Sequence, residues 1–529
     1  MRIVTLALLA LCMALFTSGA FAQTSSTGTI EGTVVDTNGN AVPGVTVRVT
    51  SPNLITPQSA TSDNEGRYRL PNLPPGMYRV QIEASQGFAA FERTGVEVNL
   101  SRSSSVAITL QPAGATAVVN VTDTAGANVD VTSNTAGTNV STEQFSNFPT
   151  QRTVQQLYTI APTVARSGLR DASGRERDPS VGGSSGPENN YILDGVNTTD
   201  PAVGGSGANL PFEFVQEVEI KTGAYGAEYG RATGGIFNVI TKSGGNEIRG
   251  DAFAYFTTKS FVRETRNLPF TGSAANGFSE IDAGFDIGGP IMKDKLWFFG
   301  AFNPQRRKNF YLAQSIRTPY ENRVTTPFYA GKITWAVNQK NVFTASTFAD
   351  FTKVEGFLAT GALTNVSGYG ADPNSFLGRQ ETGGHNYAFR LNSTITPTWI
   401  GEFSGGLHFQ RANTIPQQGT GVPLITDAFS ILRSNGTVAN VTQTGVNFGS
   451  TTGNLDYVYA PNGSLQRNFI RQGFGLYAFQ DRNRYEFAAR LQNIWNQHTF
   501  KYGFEWFRNI YNIQQLSTGP SQTFGNPLG

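Results

Sequence analysis

The chain has 529 residues and a net charge of +2, and only 15% of its residues are charged, against about 25% in ordinary soluble domains. Its 40 Lys and Arg nearly balance its 38 Asp and Glu, which excludes a basic nucleic-acid surface and an acidic solvating tail. Aromatic residues reach 12%, and there are 59 glycines. This composition predicts a mainly β protein in which one strand face meets something other than water.

The first 22 residues have the pattern of a secretory signal peptide. Arg2 precedes an apolar run from Ile3 to Phe16, and Ala20-Phe21-Ala22 forms an A-x-A cleavage site. The apolar run is too short to favour a membrane anchor. The single cysteine, Cys12, lies in this segment, so we expect a mature chain without disulfides, thiolate catalysis or Cys-bound metal. No later run of about 18 apolar residues predicts a membrane helix, so a membrane-spanning form must be a closed β-barrel.

Residues 27–110 contain short alternating stretches separated by turn residues such as Asn38-Gly39 and Pro74-Pro75-Gly76. Six or seven short strands with turns every 8–12 residues or so predict an Ig-like β-sandwich. The segment contains the motifs Gly32-x-Val34-x-Asp36, Gly44-Val45-x-Val47, Asp63-x-x-Gly66-x-Tyr68 and Leu73-x-Pro75-Gly76-x-Tyr78. With these motifs it resembles the carboxypeptidase regulatory-like (transthyretin-like) domain, which implies a non-catalytic role.

Residues 111–141 are rich in Ala, Thr, Gly, Val and Asn and nearly free of charge, which predicts a flexible linker. This linker contains one β-prone island, made of Thr116, Ala117, Val118, Val119, Asn120, Val121 and Thr122. An isolated strand of this kind can add to the edge of another protein's sheet. We therefore expect the island to be exposed, with both backbone edges free.

Residues 142–246 predict a compact, Gly-rich α+β region with a short helix over 153–160 and strands over 191–193, 215–221 and 235–241. The region contains three ordered motifs, Tyr191-Ile192-Leu193-Asp194-Gly195-Val196, Glu217-Val218-Glu219-Ile220-x-x-Gly223 and Tyr229-Gly230-x-x-x-Gly234-Gly235-Ile236-x-Asn238-Val239-Ile240-Thr241-Lys242. With these motifs it resembles the plug domain of TonB-dependent outer-membrane receptors. Glycines are expected where plug loops need positive φ or pack closely against a barrel wall.

From residue 247 to 529 the apolar period becomes two, which predicts an antiparallel membrane barrel with Ile281, Phe389, Phe403 and Phe504 on the lipid face. A large soluble β-sandwich would alternate too, but the predicted connections alternate between short and long, as at the two ends of a barrel. Short turns are predicted at 289–294, 338–340, 396–398 and 496–497, and long loops at roughly 305–327, 354–384 and 413–468. Aromatic residues near strand ends predict an interfacial girdle of Trp297, Trp335, Trp399 and Trp495.

One further motif, Gly288-Gly289-Pro290-Ile291-x-Lys293-Asp294-Lys295-Leu296-Trp297-Phe298-Phe299, together with the sandwich, resembles the Oar-like branch of these receptors. Such transporters close with about 22 strands, whereas residues 249–529 suggest only about ten. We therefore expect a fragment that holds the N-terminal part of the barrel. A closed barrel of eight to ten strands would be too narrow to hold a plug.

Catalytic and metal sites are not expected. Gly182-Gly183-Ser184-Ser185-Gly186 matches the nucleophile-elbow pattern but lacks the strand before it and the helix after it. His385, His408 and His498 lack metal-ligand spacing, and His408 is predicted to face the lumen. The sequence thus predicts no catalytic residue, no cofactor and no metal, and a protein that is not an enzyme.

Two charged clusters are candidates for binding. Arg170, Asp171, Arg175, Glu176 and Arg177 are candidate ligand contacts at the plug apex, with a solvated loop as the alternative. The run Arg306-Arg307-Lys308 is predicted to open an external loop that could meet outer-membrane lipid and lipopolysaccharide, again with a solvated loop as the alternative.

The resemblance implies a receptor in the outer membrane of a Gram-negative bacterium, with its N-terminal domain and plug on the periplasmic side. It implies active import of an extracellular substrate, driven by the partner TonB and the inner-membrane energising complex, with the island 116–122 as the candidate TonB box. The sequence leaves the substrate open among siderophore, glycan, peptide and protein. The alternatives are a barrel-anchored adhesin or assembly receptor without transport and, less well supported, a secreted enzyme.

Overall fold

The protein was analysed as a computed structural model. It describes residues 27–113, 119–122, 135–145, 152–166, 178–261, 273–313, 318–358, 368–369, 377–421, 425–427, 430–432, 438–440, 458–459, 465–466 and 469–519, apart from positions 53, 55–56, 86, 227–228, 231, 339, 397, 418, 473 and 496–497. The candidate signal peptide and the candidate plug-apex contacts Arg170, Asp171, Arg175, Glu176 and Arg177 lie outside the described residues.

The N-terminal segment forms two facing sheets around an apolar core. Its strands are β1 (Gly28–Val35), β2 (Thr46–Thr50), β3 (Gln58–Thr61), β4 (Arg67–Leu73), β5 (Gly76–Ile82), β6 (Phe91–Val98), β7 (Ser103–Ser105), β8 (Ile108–Thr109) and β9 (Val119–Thr122). One sheet has the order β4-β1-β7, with β8 also paired to β1, and the other has the order β3-β2-β5-β6-β9. Alternation explains the packing, since Val47 and Val49 of β2 are buried while Arg48 between them is exposed.

Strand β9 corrects the expectation for the candidate TonB box. Its backbone runs parallel to β6, with Phe91 opposite Val119 and Thr94 opposite Thr122. The prediction that both backbone edges of the island are free is therefore wrong for residues 119–122, while Thr116, Ala117 and Val118 lie outside the described residues. The physical reason is that β6 would otherwise present an unpaired edge, and a β-prone segment tethered nearby meets that edge at high effective concentration.

The next segment is a small α+β unit. It contains β10 (Ala136–Ser141), α1 (Thr142–Phe145), α2 (Val154–Tyr158), β11 (Val164–Ala165), β12 (Ser180–Val181), β13 (Asn190–Leu193), β14 (Val196–Asn197), β15 (Val215–Gly223) and β16 (Ile236–Thr241), with 3₁₀ turns at Gly186–Glu188 and Phe212–Phe214. The central sheet has the order β10-β15-β16-β13-β14. The predicted helix and three strands are all present. Tyr158 stacks on Phe237 with ring centroids 4.2 Å apart, which anchors α2 to the sheet.

The remaining chain is dominated by one antiparallel sheet of ten strands with the order β17-β18-β19-β20-β21-β24-β25-β32-β33, in which β22 also pairs with β20 and β24. The strands of this sheet are β17 (Arg249–Thr257), β18 (Ser273–Met292), β19 (Leu296–Ala313), β20 (Thr318–Asn338), β21 (Asn341–Ala349), β22 (Thr352–Leu358), β24 (Leu377–Thr396), β25 (Trp399–Pro416), β32 (Leu476–Trp495) and β33 (His498–Ser517). Short strands outside it are β23 (Gly368–Tyr369), β26 (Ile425–Asp427), β27 (Ser430–Leu432), β28 (Val438–Asn440), β29 (Val458–Tyr459), β30 (Leu465–Gln466) and β31 (Phe469–Gln472), and a 3₁₀ turn spans Lys259–Phe261.

The inner face of this sheet holds the α+β unit, because Phe299, Phe328 and Phe348 share a buried cluster with that unit's Phe214 and Phe237. The outer face is apolar as predicted. Ile281, Phe389, Phe403 and Phe504 are 60%, 45%, 36% and 59% exposed. Their inward neighbours, such as Asp282, Arg390 and His408, are buried. No helix among the described residues has the length and apolarity needed to cross a membrane.

The predicted tryptophan girdle needs one correction. Trp335, Trp399 and Trp495 are exposed on the outer face, but Trp297 is 0% exposed. Its indole Nε1 donates a hydrogen bond to Asn246 Oδ1 at 2.9 Å. Pairing with Pro290 and Thr334 places Trp297 on the inward-facing side of β19, so proximity to a strand end did not determine which face it occupies.

The short turns predicted at 338–340 and 396–398 lie between consecutive strands, and the turn predicted at 289–294 lies closer to residues 293–295. The turn predicted at 496–497 lies outside the described residues, and the first long loop is predicted wrongly. Strands β19 and β20 stay paired from Leu296–Trp335 to Ala313–Thr318, across most of the predicted loop 305–327. Arg307 therefore lies in a strand, where it pairs with Glu280 at 3.4 Å and lies over the Phe278 ring. Residues 354–384 are likewise partly strand, in β22 and β24. Strands β19 and β20 have 18 and 21 residues, which exceeds the roughly 9–11 residues that a strand needs to cross a bilayer. We therefore expect the apolar alternation to end before these strands do.

A cation on the outer face tests this orientation. We expect Phe389→Arg to cost about 2–4 kcal/mol of stability in a bilayer, because a guanidinium near the hydrocarbon midplane is poorly solvated. Phe389→Leu, which stays apolar, serves as the control. The measurement is the folded fraction after insertion into lipid vesicles, read as the heat-dependent mobility shift on gel electrophoresis. Equal folded fractions for the two variants would contradict the lipid-facing assignment.

Candidate functional site

The candidate site is the polar boundary between the α+β unit and the inner face of the large sheet. Its most prominent projection is a two-residue hairpin turn, Asp194-Gly195, which joins β13 to β14. Both residues have positive φ, +47° and +82°, as a type I′ turn requires. A Cβ at position 195 would overlap the Arg390 guanidinium, so glycine also permits the close approach to the sheet.

Asp194 is held by a buried set of donors. Its Oδ1 accepts hydrogen bonds from Lys332 Nζ and from the Thr241 backbone N, each at 3.0 Å, and its Oδ2 accepts one from Thr241 Oγ1 at 2.7 Å. Arg390 Nη2 donates to the Asp194 carbonyl oxygen at 2.7 Å. Burial alone would raise the pKa of Asp194, but the Lys332 ammonium and the Thr241 hydrogen bonds outweigh burial and hold that pKa below its usual value.

A second contact lies on strands β25 and β32. Buried Asp200 accepts hydrogen bonds through Oδ2 from Gln410 Nε2 at 3.1 Å and from Arg482 Nη1 at 2.5 Å. Nearby, the backbone N of Asn197 donates to Glu486 Oε1 at 2.9 Å. His408 is buried on the inner face, as predicted, and Gly207 leaves room for its ring.

A third contact lies on β18. Arg152 forms ion pairs with Glu213 and with Asp282, the second with an N–O distance of 3.0 Å. Lys242 pairs with Asp286 at 2.8 Å. Burial raises the pKa of Glu213 to about 7, although the positive charge of Arg152 opposes the shift. The three contacts join the α+β unit to strands that are well separated in the sheet.

The N-terminal sandwich docks on β15 of the α+β unit. The part of the sandwich that makes this contact is the turn between β6 and β7. Glu217 Oε1 accepts hydrogen bonds from the Leu100 backbone N at 2.9 Å and from Asn139 Nδ2 at 2.6 Å. Glu219 accepts one from Ser101 Oγ at 3.3 Å and forms an ion pair with Lys221. Burial raises the pKa of Glu217 to about 8, with the two hydrogen bonds opposing the shift. The two carboxylates of a predicted motif thus hold the sandwich, a role that the motif alone did not indicate.

Ion pairs and hydrogen bonds make up the polar part of this boundary. The described residues include no group of three or more His, Cys, Asp or Glu placed to hold a metal ion. Ser184, the centre of the nucleophile-elbow pattern, lies in a turn where its Oγ accepts a hydrogen bond from the Val181 backbone N at 3.3 Å. A buried ion pair fixes the relative position of two surfaces. Removing one partner strongly destabilises the contact, because the other charge is left buried and unpaired.

Sequence reasoning missed Asp200, Lys332, Arg390 and Arg482 as functional residues. Only the position of these residues in their strands could have indicated a role, because Lys332, Arg390 and Arg482 lie at the polar, inward-facing positions of the period-two pattern. The partners could not be read, because each contact joins segments 138 to 282 residues apart.

Three family models match the chain. They are described as "Carboxypeptidase regulatory-like domain" over residues 29–111, "TonB-dependent Receptor Plug Domain" over residues 127–236 and "Outer membrane beta barrel domain" over residues 240–323. The sequence is 34% identical to the TonB-dependent transporter Oar of Myxococcus xanthus over 428 residues, which are 77% of this chain and 36% of Oar.

Two further similarities are weaker. The probable TonB-dependent siderophore receptor PirA of Acinetobacter baumannii is 26% identical over 38% of this chain and 28% of PirA. Among solved structures, the outer membrane transporter YddB from Escherichia coli matches with a TM-score of 0.49 and 13% identity, covering 72% of this chain and 53% of YddB. The chain thus spans roughly a third of the length of the curated relatives named here.

Proposed function

We propose an import function for this chain, which has the carboxypeptidase regulatory-like, plug and barrel domains of the TonB-dependent outer-membrane receptors. This family consists of receptors and transporters rather than enzymes, and its members reside in the outer membrane of Gram-negative bacteria, with the plug on the periplasmic side. The proposed activity is the binding of an extracellular substrate and its active transfer to the periplasm.

The observation that carries the proposal is the attachment of the plug by separate buried ion pairs, through Lys332, Arg482 and Asp282 of the sheet. An adhesin needs only a rigid anchor, and the apolar cluster that plug and sheet share would supply it without these ion pairs. Buried ion pairs contribute little net stability but hold one arrangement specifically, which suits a plug that must leave its place and return. We propose that the energy for this rearrangement comes from TonB and its inner-membrane energising complex.

The candidate TonB box stays Thr116–Thr122. The supporting argument is its β-prone sequence, because strand addition uses backbone hydrogen bonds of an extended segment. The parallel pairing of Val119–Thr122 with β6 adds one requirement: in the proposed mechanism the segment leaves β6 before or while TonB takes it up.

The substrate is proposed by class only. The PirA relative is named as a probable siderophore receptor, so a ferric siderophore is the first class to test, followed by glycan, peptide and protein. We propose that Arg170, Asp171, Arg175, Glu176 and Arg177 contact it at the plug apex. Contact of Arg306-Arg307-Lys308 with lipopolysaccharide is likewise a proposal, and of these residues Arg307 already has a partner in Glu280.

A proline in the box tests the function. We expect Val119→Pro to reduce photo-crosslinking between residue 121 and TonB, and to reduce ⁵⁵Fe-siderophore uptake across a siderophore panel, because proline removes an N–H donor and fixes φ. Folding and membrane insertion should stay intact, since β9 is the outermost strand of its sheet. Uptake by the parent protein should disappear in a strain without TonB.

Ala127→Pro, outside the box in sequence, is the matched control and should leave crosslinking and uptake unchanged. Reduced crosslinking in both variants would place the box elsewhere. Uptake that persists without TonB would overturn active import and favour the anchored receptor without energised transport.

A further inference from the structure

The N-terminal sandwich contacts both the plug and the rim of the sheet. Asn72 Nδ2 donates a hydrogen bond to Thr394 Oγ1 at 3.3 Å, at the short-turn end of β24. The Pro52 carbonyl lies so close to Gly245 that a Cβ there would be 2.8 Å from the carbonyl oxygen. With the Glu217 and Glu219 contacts of the β6–β7 turn, these contacts spread the attachment over plug and sheet.

The attached sandwich forms part of the walls of two spaces at this end of the molecule. One cavity of about 120 Å³ borders the Asp194 contact. Its lining includes Asn72 and Pro74 from the sandwich, Asp194 from the plug, and Lys332, Thr334 and Arg390 from the sheet. A second cavity of about 680 Å³ lies toward β17 and is lined by residues that include Tyr78, Arg79, Gln216, Lys242 and Arg249. Both cavities have walls from all three parts of the chain.

We infer that the sandwich is a detachable cap that closes the periplasmic end of the space between plug and sheet, and that it leaves its docking site before that space opens. The inference rests on the proposed function. Its structural basis is the position of the sandwich, since any path that passes the Asp194 contact on this side continues into the 120 Å³ cavity and meets Asn72 and Pro74.

The candidate box is joined to this cap. Strand β9 is the outermost strand of the sheet that contains β6, and β6 leads within three residues into the docking turn at Leu100–Ser101. Once the box has left β6, a pull on it still reaches the sandwich through the covalent chain, because the link from β8 (Ile108–Thr109) to Thr116 is shorter than the link from Thr122 to β10 (Ala136–Ser141) of the plug. The sandwich would leave first, and the plug contacts would follow.

A charge placed in the docking turn tests the cap. Ser101 Oγ donates a hydrogen bond to the buried Glu219 carboxylate, so Ser101→Glu should detach the sandwich by repulsion. Ser101→Gln is the matched control, because it has the same size and bears the same positive φ, +56° at this position, without the charge. The readout is the rate at which a membrane-impermeant maleimide labels Thr334→Cys inside the 120 Å³ cavity, in the full chain with Cys12→Ser.

We expect labelling about tenfold faster or more in Ser101→Glu than in the parent, no change in Ser101→Gln, and restoration of slow labelling in Ser101→Glu/Glu219→Gln. Trypsin resistance of residues 27–110 and the heat-dependent mobility shift establish that sandwich and barrel are folded. Equal labelling of folded parent and folded Ser101→Glu would overturn the cap. The measurement uses neither TonB nor substrate, so it can fail while import stands, and the uptake test can fail while the cap stands.

Discussion

Lys332→Met should weaken the hold of the sheet on the plug by about 3–5 kcal/mol, the usual cost of removing one partner from a buried ion pair. The variant leaves the Asp194 carboxylate buried without its cation, while the Thr241 hydrogen bonds remain. The substitution also removes the hydrogen bond of 2.7 Å that Lys332 Nζ donates to the Thr241 carbonyl oxygen. The free energy of unfolding in detergent micelles and the rate of plug proteolysis measure the effect.

Two controls distinguish the effect of losing the ion pair from the general effect of replacing a lysine. Lys340→Met changes an exposed lysine near the same rim and should stay within about 0.5 kcal/mol of the parent. The double variant Lys332→Met/Asp194→Asn removes both charges and should recover most of the loss. If Lys332→Met were as stable as Lys340→Met, the Asp194 contact could not be what holds the plug.

The same pair sets an acid limit for plug attachment. The pKa of Asp194 is below its ordinary value of about 3.9, so its contribution is complete above that value and is lost as the pH falls through the lowered folded-state pKa. Lys332→Met should remove this acid dependence. The pH dependence of plug proteolysis between about pH 2 and 5 measures it.

The elements that sequence reasoning predicted are those fixed by local physics. The Asp194-Gly195 pair predicts a turn because both residues tolerate positive φ, and the structure has a two-residue hairpin there. Phe389 and Phe504 could be assigned to the outer face because side-chain direction in a strand repeats every two residues. The Gly-rich plug strands were recognisable because their motifs combine such turns with short apolar runs.

The predictions that were wrong depend on contacts between distant segments. Trp297 was assigned to the girdle by its place near a strand end, but its direction is fixed by the register of β19 and by Asn246, 51 residues away. The loop at 305–327 was predicted as one of the long connections of a barrel, yet the pairing of β19 with β20 continues through most of it. Strand β9 pairs with β6 because of a vacant edge in the same chain, which no local pattern reports.

The ion pairs between plug and sheet show the same limit. The sequence places Lys332 and Arg390 on the inward face, but many inward charges are available and each could pair with several others. Only the docking of the plug decides that Lys332 meets Asp194 and Arg482 meets Asp200. The charge pattern thus predicts that polar contacts exist, and the tertiary structure selects the partners.

Docking of the sandwich on the plug should weaken as the pH rises from about 4.5 to about 8. Burial raises the pKa of Glu217 from 4.5 to about 8, because the docked Leu100 turn excludes water from the carboxyl group. Glu97 and Glu219 add to the shift by repulsion, and the hydrogen bonds from Asn139 and Leu100 oppose it. Detachment of the sandwich exposes this carboxyl group to water, so we expect its pKa to fall toward the ordinary value. A group whose pKa is raised in the docked state stabilises that state fully below its free pKa, and this contribution is lost as the pH rises through the raised value.

Each unit of pKa difference corresponds to about a tenfold change in the docking equilibrium, so the docked fraction should differ strongly between pH 5 and pH 8.5. Spin labels at Arg48→Cys on the sandwich and Lys340→Cys on the sheet, in a Cys12→Ser background, report this fraction as a distance distribution. Glu217→Gln cannot ionise and keeps an acceptor oxygen for Leu100 N, so its distribution should be independent of pH and match the low-pH parent. A docked fraction in the parent that rises with pH, or a pH response that survives Glu217→Gln, would show that other groups control the junction. The expected result would make the cap easier to detach as its surroundings become more alkaline, without any change in TonB or substrate.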